Sequence, residues 1–128
     1  MAAAKGLPNK VKLSDEAFSR LKWLKSKTSL EDWTIARLGY CFSLGESHVT
    51  DLKQYLGSDS TKEFNRYTIT GDQDLLYTEL LRTYLNAHPE LTLNESDAFR
   101  AHINRGIIAL SRQVKSLGDL AEVLERKS

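Results

Sequence analysis

The stretch Ser96-Asp-Ala-Phe-Arg-Ala-His-Ile-Asn-Arg-Gly-Ile-Ile-Ala-Leu110 has the clearest helical pattern in this chain. Its apolar residues recur every three or four positions, which places them on one face of a helix. They are Phe99, Ile103, Ile107, Leu110 and, beyond the stretch, Val114. We therefore predict a long helix that begins after Asn94 or Ser96 and ends near Lys115.

Two positions of this helix indicate contacts beyond that face. Glycine costs about 1 kcal/mol relative to alanine inside a helix. Gly106 therefore predicts a close approach of another backbone, in packing rather than in ligand binding. Ile108 points away from the apolar face and predicts a second apolar contact.

The rest of the chain predicts a mainly α protein, a compact helical bundle with a short N-terminal strand. Lys10 and Lys12 alternate with apolar residues, which predicts a strand over Asn9–Leu13. Ser14 is suited to cap the helix that follows. The other predicted helices are Asp15–Lys27, Leu30–Leu44, Asp72–His88 and Leu117–Lys127.

Residues 46–71 show the weakest pattern. A helical turn is possible near Asp51–Leu56, and the alternation in Tyr67–Thr70 predicts a short strand.

The predicted helix Leu30–Leu44 is apolar nearly all the way round. Only a narrow wedge is expected to meet water, and it consists of Asp32, Ala36, Gly39 and Ser43. A helix with two apolar faces is buried centrally or lies between subunits. Together with Ile108, this helix predicts a homo-oligomer, because a monomer of this size would expose too much apolar surface.

Arg37 lies in the middle of an apolar face of that helix. A buried unpaired charge costs several kcal/mol, so the guanidinium needs a partner. We expect contact with the ring of Trp33 or Tyr40 and a carboxylate from elsewhere, in preference to a phosphate. Cys41 is predicted to be a buried, unreactive thiol.

Length and composition limit the class of protein. The chain has 128 residues, 41% hydrophobic and 27% charged, which fits one globular domain and excludes disordered and collagen-like classes. We predict a flexible leader over residues 1–8 and a single domain over residues 9–128. No apolar run approaches the ~20 residues of a membrane span, and the N-terminal stretch lacks the apolar segment of a secretory signal. A single cysteine cannot form an internal disulfide, which favours the cytoplasm.

Charge is divided unevenly along the chain. Residues 1–30 contain seven Lys or Arg and two acids, for a net charge of +5, whereas the other 98 residues contain eleven bases and fifteen acids, for −4. This segregation favours a polyanionic partner, although a solvated lysine-rich surface is the alternative.

The candidate nucleic-acid contacts lie in this basic segment. A tryptophan on the first helix points away from the local apolar face and is framed by basic residues. Such a ring is typical of nucleic-acid contact or a subunit interface, and the alternative is that another segment covers it as core. The candidate DNA-binding residues are Lys10, Lys12, Arg20, Lys22, Trp23, Lys25 and Lys27. We expect one corner of the protein to carry most of its basic charge.

The sequence contains no enzyme, metal or cofactor motif that we can identify. His48, His88 and His102 have no Cys or His at ligand spacing, which argues against a zinc site. There is no glycine-rich phosphate loop and no Gly-x-Ser-x-Gly nucleophile motif. We therefore expect a protein without catalytic activity, cofactor or metal.

The order of strand, helix and apolar second helix over residues 9–44 resembles the ribbon-helix-helix plan. In that plan the strands of two chains pair, the second helices lock together, and the ribbon lies in the major groove. This resemblance gives an alternative function, a transcriptional repressor or antitoxin that reads base edges. Lys10 and Lys12 favour phosphate contact instead, because base readers more often carry Asn, Gln or Arg.

A more specific resemblance covers residues 8–118. The stretch from Ser96 to Leu110 resembles the motif of the DndE family, small proteins of DNA phosphorothioation, the sulfur modification of DNA. Three further segments are similar to that family in the same order, Leu13–Thr28, Ile35–Tyr40 and Tyr77–Leu81.

This resemblance implies an accessory DNA-binding protein that is a compact helical homotetramer without a cofactor. It implies binding of duplex DNA, with a preference for nicked duplex, through surface lysines. It also implies partner subunits: a cysteine desulfurase, a subunit similar to PAPS reductases, and an ATPase. By position, the lysines suited to DNA contact are Lys10, Lys12, Lys22, Lys25 and Lys27. A third hypothesis is a subunit that binds only its protein partners.

Overall fold

A computed structural model describes residues 7–127, which form a short β-ribbon, one long central helix and five shorter helices. The elements are β1 (Lys10–Lys12), α1 (Asp15–Thr28), α2 (Asp32–Leu44), β2 (Glu63–Asn65), α3 (Arg66–Thr70), α4 (Asp74–Ala87), α5 (Glu95–Gln113) and α6 (Leu117–Lys127). Turns of 3-10 helix lie at Thr50–Gln54, Gly71–Gln73 and Pro89–Leu91. The predicted class, mainly α with a short N-terminal strand, is confirmed. Of the predicted leader, residues 1–6 lie outside the described residues, and Leu7 is buried.

The first helix is capped at both ends. Ser14 Oγ accepts a hydrogen bond from the Ala17 N–H at 3.1 Å, as its position predicts. The Asp59 carboxylate accepts the Asp15 N–H at 2.9 Å, which satisfies a second free donor of the first turn. At the other end, Ser29 takes the left-handed conformation with φ 62° and closes the helix.

At the centre of the fold, α2 crosses α5 in direct backbone contact. A Cβ placed on Gly106 would lie 1.7 Å from the Gly39 carbonyl oxygen. The predicted close approach at Gly106 is therefore confirmed. The prediction that Ala36, Gly39 and Ser43 meet water is wrong, since all three are buried. Their small size lets α5 approach closely. More surface is buried when this side of α2 packs against α5 than when it faces water.

Other expectations for α2 change because α1, α3 and α5 cover it within the chain. Ile108 is buried in the same core, so it needs no second subunit. Cys41 is exposed, and the prediction of a buried thiol is wrong. The Arg37 guanidinium stacks on Trp33 at 4.8 Å from the ring centroid, as predicted. Its Nε donates to the Ile69 carbonyl at 2.7 Å, where a carboxylate was expected.

The β-ribbon is formed within one chain. β1 and β2 pair antiparallel with Val11 opposite Phe64, and both side chains are buried. In the ribbon-helix-helix plan the strands belong to two chains, so this ribbon is built differently.

The strand predicted at Tyr67–Thr70 is wrong, because these residues form α3. Asn65 Oδ1 accepts the Tyr67 N–H at 2.9 Å and caps this short helix. The cap and tertiary packing outweigh the β propensity of the segment.

A buried polar network lies beside the crossing of α2 and α5. Arg105 Nε donates to Ser43 Oγ at 2.8 Å, and its Nη1 donates to the His48 carbonyl. Ser43 Oγ lies 2.8 Å from His102 Nδ1. Burial, and then the positive charge of Arg105, lower the pKa of His102 to about 3.

We predict that Gly106→Ala prevents stable folding, at a cost of more than about 3 kcal/mol, because the added methyl group meets backbone that cannot move aside. Urea denaturation followed by circular dichroism measures this loss. Gly118→Ala is the matched control, since the nearest atom to its added Cβ is 3.7 Å away. A Gly106→Ala protein as stable as the parent would contradict the close crossing.

We predict that the protein loses stability as the pH falls from 6.5 towards 3. His102 stays neutral in the folded state down to about pH 3, whereas in the unfolded chain it is protonated below its ordinary value of 6.5. The unfolded state therefore binds more protons in this window, and the loss is of order 1 kcal/mol per pH unit. Urea denaturation at pH 7.5 and 5.5 should show it in the parent and in His48→Gln, and much less in His102→Gln. An equal pH dependence in all three proteins would contradict the assignment to His102.

Candidate nucleic-acid interface

Lys10 and Lys12 lie side by side on the solvent face of the β-ribbon, as predicted. The alternation of the strand turns Val11 into the core and leaves both lysines exposed. Lys10 Nζ lies 3.7 Å from Glu63 Oε2 in a largely exposed pair. Lys12 forms no ion pair with the described residues. Because water screens an exposed pair, both lysines can still contribute positive potential on this face.

The basic residues of α1 are divided between two opposite sides of the helix. Around the helix axis, Lys22 and Lys25 lie about 60° apart, and Arg20 and Lys27 lie about 20° apart. The centres of the two pairs lie about 180° apart. The expectation of a single basic corner is therefore not met, because a helix of this length presents its bases to two surfaces.

Trp23 is half-buried and packs against the main core, so the ring is partly core and partly surface. Lys27 Nζ lies 5.8 Å from its centroid, and on the other side of α1 Lys22 Nζ lies 4.5 Å from the Phe18 centroid. In both pairs the lysine stem covers an aromatic ring while the ammonium group stays near water.

Sequence reasoning missed Lys62. Its Nζ lies 2.6 Å from Asp32 Oδ2, and Lys25 Nζ lies 3.4 Å from Asp32 Oδ1. Partial burial acts to raise the pKa of the Asp32 carboxyl, but Lys62 and then Lys25 outweigh it and hold that pKa below its usual value. Lys62 lies in the segment without a clear pattern, and only the pairing of β2 with β1 brings it beside α1.

Some basic residues of the chain pair with carboxylates and others do not. Four of the six predicted basic residues form no ion pair with the described residues; they are Lys12, Arg20, Lys22 and Lys27. Arg66, Arg82 and Arg100 each pair with a carboxylate of the chain at 3.1 Å or less. Arg105 is buried and its donors are used inside the protein. Basic residues without an ion pair to the described residues therefore include four on β1 and α1, and Lys53, Arg112 and Lys115 elsewhere in the chain share this property.

Over residues 7–127 no group of three or more His, Cys, Asp or Glu is arranged to hold a metal ion. None of the helices described there combines the length and apolar character that a bilayer span requires.

Known proteins share both the sequence pattern and the fold. The family described as DNA sulphur modification protein DndE matches residues 10–117. None of the curated protein sequences is significantly similar to the chain. The crystal structure of DndE from Escherichia coli B7A, involved in DNA phosphorothioation modification, is similar with a TM-score of 0.64 and 25% identity, over 83% of this chain and 98% of that one. Because the family match covers most of the chain and the fold agrees, this chain belongs to the DndE family of DNA sulphur modification proteins.

Proposed function

We propose that this protein is an accessory, non-catalytic subunit of the DNA sulfur modification system that acts in the cytoplasm and binds the backbone of duplex DNA. The observation that carries the proposal is the unpaired charge of Lys12, Arg20, Lys22 and Lys27. Membership in the DndE family supplies the context, because DNA is what this system modifies. Free lysine and arginine side chains bind phosphates irrespective of sequence.

The ribbon-helix-helix repressor is the second candidate, and the ribbon supports it less well. Its solvent face carries Lys10, Lys12, Glu63 and Asn65. Asn65 is the side chain there best suited to read a base, but its Oδ1 already caps α3. Backbone contact therefore explains this face better than base readout.

A preference for nicked duplex follows from the family resemblance and belongs to the same proposal. A nick makes the phosphate backbone of the DNA more flexible. One strand can then bend along a protein surface that carries lysine and arginine side chains on more than one side. The division of lysines between the two sides of α1 suits such a path. Partner subunits of the modification system are the other proposed binding partners.

We also propose that the protein is a homotetramer, with one of its interfaces on an exposed apolar face. This apolar face consists of Trp33, Tyr67, Leu75, Leu76 and Leu80. Leu75 is 73% exposed and Leu76 is 51% exposed, which is unusual for adjacent leucines on one helix. Large apolar side chains left exposed on the neighbouring helices α2, α3 and α4 favour a site of protein contact.

A second copy of this chain is the occupant that fits the apolar face. At its rim, Arg66 pairs with Asp74 at 3.1 Å and Arg82 pairs with Glu79 at 3.0 Å, so the rim does not repel its own copy and offers little to a phosphate. Leu76 and Leu80 lie one turn apart on α4. An antiparallel copy of α4 across a two-fold axis would place each of these leucines on the other.

For DNA binding, we predict a linear decrease of log affinity with log salt, with a slope of about −0.9 per neutralised phosphate. Lys22→Ala/Lys25→Ala should make this slope shallower by one to two such steps and should weaken unrelated duplexes about equally. Fluorescence anisotropy with intact and nicked duplexes from about 50 to 200 mM salt measures both effects. Folding should barely change, because both side chains are exposed.

The matched comparison is Arg20→Ala/Lys27→Ala, which removes the same charge from the opposite side of α1. We expect this variant to lose less affinity for DNA than Lys22→Ala/Lys25→Ala, because Lys62 adds a third positive charge on the side of Lys22 and Lys25. Loss confined to one sequence would support the repressor instead. If both variants bind DNA as tightly as the parent, contact through α1 is contradicted. If the parent binds no duplex at all, the remaining hypothesis is a subunit that binds only its protein partners.

For assembly, we predict that the parent has about four times the mass of the 14.5 kDa chain by light scattering. Leu76→Glu/Leu80→Glu should reduce this to a dimer or monomer without unfolding, because like charges then meet across the two-fold axis. Leu117→Glu alters a leucine of similar exposure on α6, outside the apolar face, and should leave the mass unchanged. A monomeric parent would contradict the tetramer, and an unchanged mass in the double variant would contradict this interface.

A further inference from the structure

Two lysines from different parts of the chain contact one carboxylate beside the end of α1. Lys25 lies in the last turn of α1, Lys62 directly precedes β2, and Asp32 is the first residue of α2. The two ammonium groups lie 3.4 Å and 2.6 Å from different oxygens of that carboxylate. Each oxygen therefore has its own cation.

The Asp32 carboxylate resembles a DNA backbone phosphate in charge, because it carries one negative charge over two oxygens. A phosphodiester also carries one negative charge over two terminal oxygens, and lysine binds it as a point charge. An arrangement that gives each oxygen of Asp32 one ammonium group can give each terminal oxygen of a phosphodiester the same.

We propose that Lys25 and Lys62 form a clamp for one backbone phosphate of DNA, and that Asp32 occupies this clamp until the phosphate displaces it. This inference rests on the proposed DNA binding. It adds the position of one bound phosphate, and it adds Lys62, which sequence patterns do not reveal. It also identifies Asp32 as a group of the chain that competes with that phosphate.

The surroundings of the clamp permit this exchange. The side chains of Lys25, Lys62 and Asp32 are 52%, 25% and 26% exposed, so a ligand can reach the ammonium groups and water screens the existing pairs. Lys62 Nζ lies 4.8 Å from the Phe64 ring centroid, and this packing holds the lysine stem in place when its anion changes. Since one anion replaces another, Asp32 lowers the affinity for DNA without abolishing it.

Glu31 provides a control one residue away. It is exposed, forms no ion pair with the described residues, and makes no side-chain capping bond to α2. Glu31→Gln therefore removes the same charge as Asp32→Asn, at nearly the same place, without freeing a lysine.

The test compares Asp32→Asn with Glu31→Gln in the full chain, by anisotropy of a labelled duplex of arbitrary sequence over a range of salt. We expect Asp32→Asn to bind about three- to tenfold tighter than the parent, with nearly the same slope, because the clamp neutralises the same phosphate in both proteins. Glu31→Gln should give a smaller gain with little change in slope. Asp32→Ser repeats the test with another uncharged residue suited to a helix N-terminus, and thermal melting verifies that each variant folds.

Removal of the clamp supplies the decisive comparison. In a protein that already carries Lys25→Gln/Lys62→Gln, Asp32→Asn should increase the affinity for DNA no more than Glu31→Gln does. A gain that persists without the two lysines, or equal gains from Asp32→Asn and Glu31→Gln in the parent, would overturn the clamp while leaving the proposed DNA binding intact. Absence of DNA binding in the parent and every variant would overturn the proposed function, and the clamp with it.

Discussion

Where α2 crosses α5, the backbones of Gly39 and Gly106 lie in direct contact, and no side chain separates the two helices. This approach gives α5 neighbours on most of its circumference, which is why so much of that helix is buried. It also brings Ser43 within hydrogen-bond distance of His102 and Arg105, whose polar groups have few other partners so deep in the core. A crossing at backbone distance has no room for another methyl group, so both the apolar core and the polar network depend on these two glycines.

The same helix holds the segment that carries the basic residues. Asn104 on α5 is fully buried, and its Nδ2 donates to the carbonyls of Tyr55 and Gly57 at 3.0 and 2.9 Å. Its Oδ1 accepts the Ser14 N–H at 3.1 Å. Because Ser14 caps α1, one buried amide fixes both the start of that helix and the loop leading towards β2. The directions in which the α1 lysines point are therefore set by a core residue, not by the lysines themselves.

The proposed DNA binding depends on where charge is left unpaired. Arg66 and Arg82 are committed to carboxylates of their own chain, so those parts of the surface carry little free charge. On α1, Lys22 and Lys27 keep their charge while their stems pack over aromatic rings. The group around Asp32 is intermediate, with cations held in place by an anion that another anion can replace. Exposed lysines lose little hydration on folding, so the protein can keep them unpaired at small cost to its stability.

Local signals in the sequence were enough to predict most helices, the cap at Ser14 and the close approach at Gly106, because capping and apolar spacing act over a few residues. The DndE family was indicated separately, by the resemblance of segments such as Ser96–Leu110. The tertiary structure decided which side of α2 faces α5: size mattered more than polarity, so the side with Gly39 and Ser43 became the contact. It also decided the neighbours of the lysines. Lys62 reaches Asp32 across thirty positions of the chain, and no spacing in the sequence encodes a pair that forms only when β2 lies beside β1. Periodicity gives the face of a helix on which a residue lies, but the groups that meet it there depend on how distant segments pack.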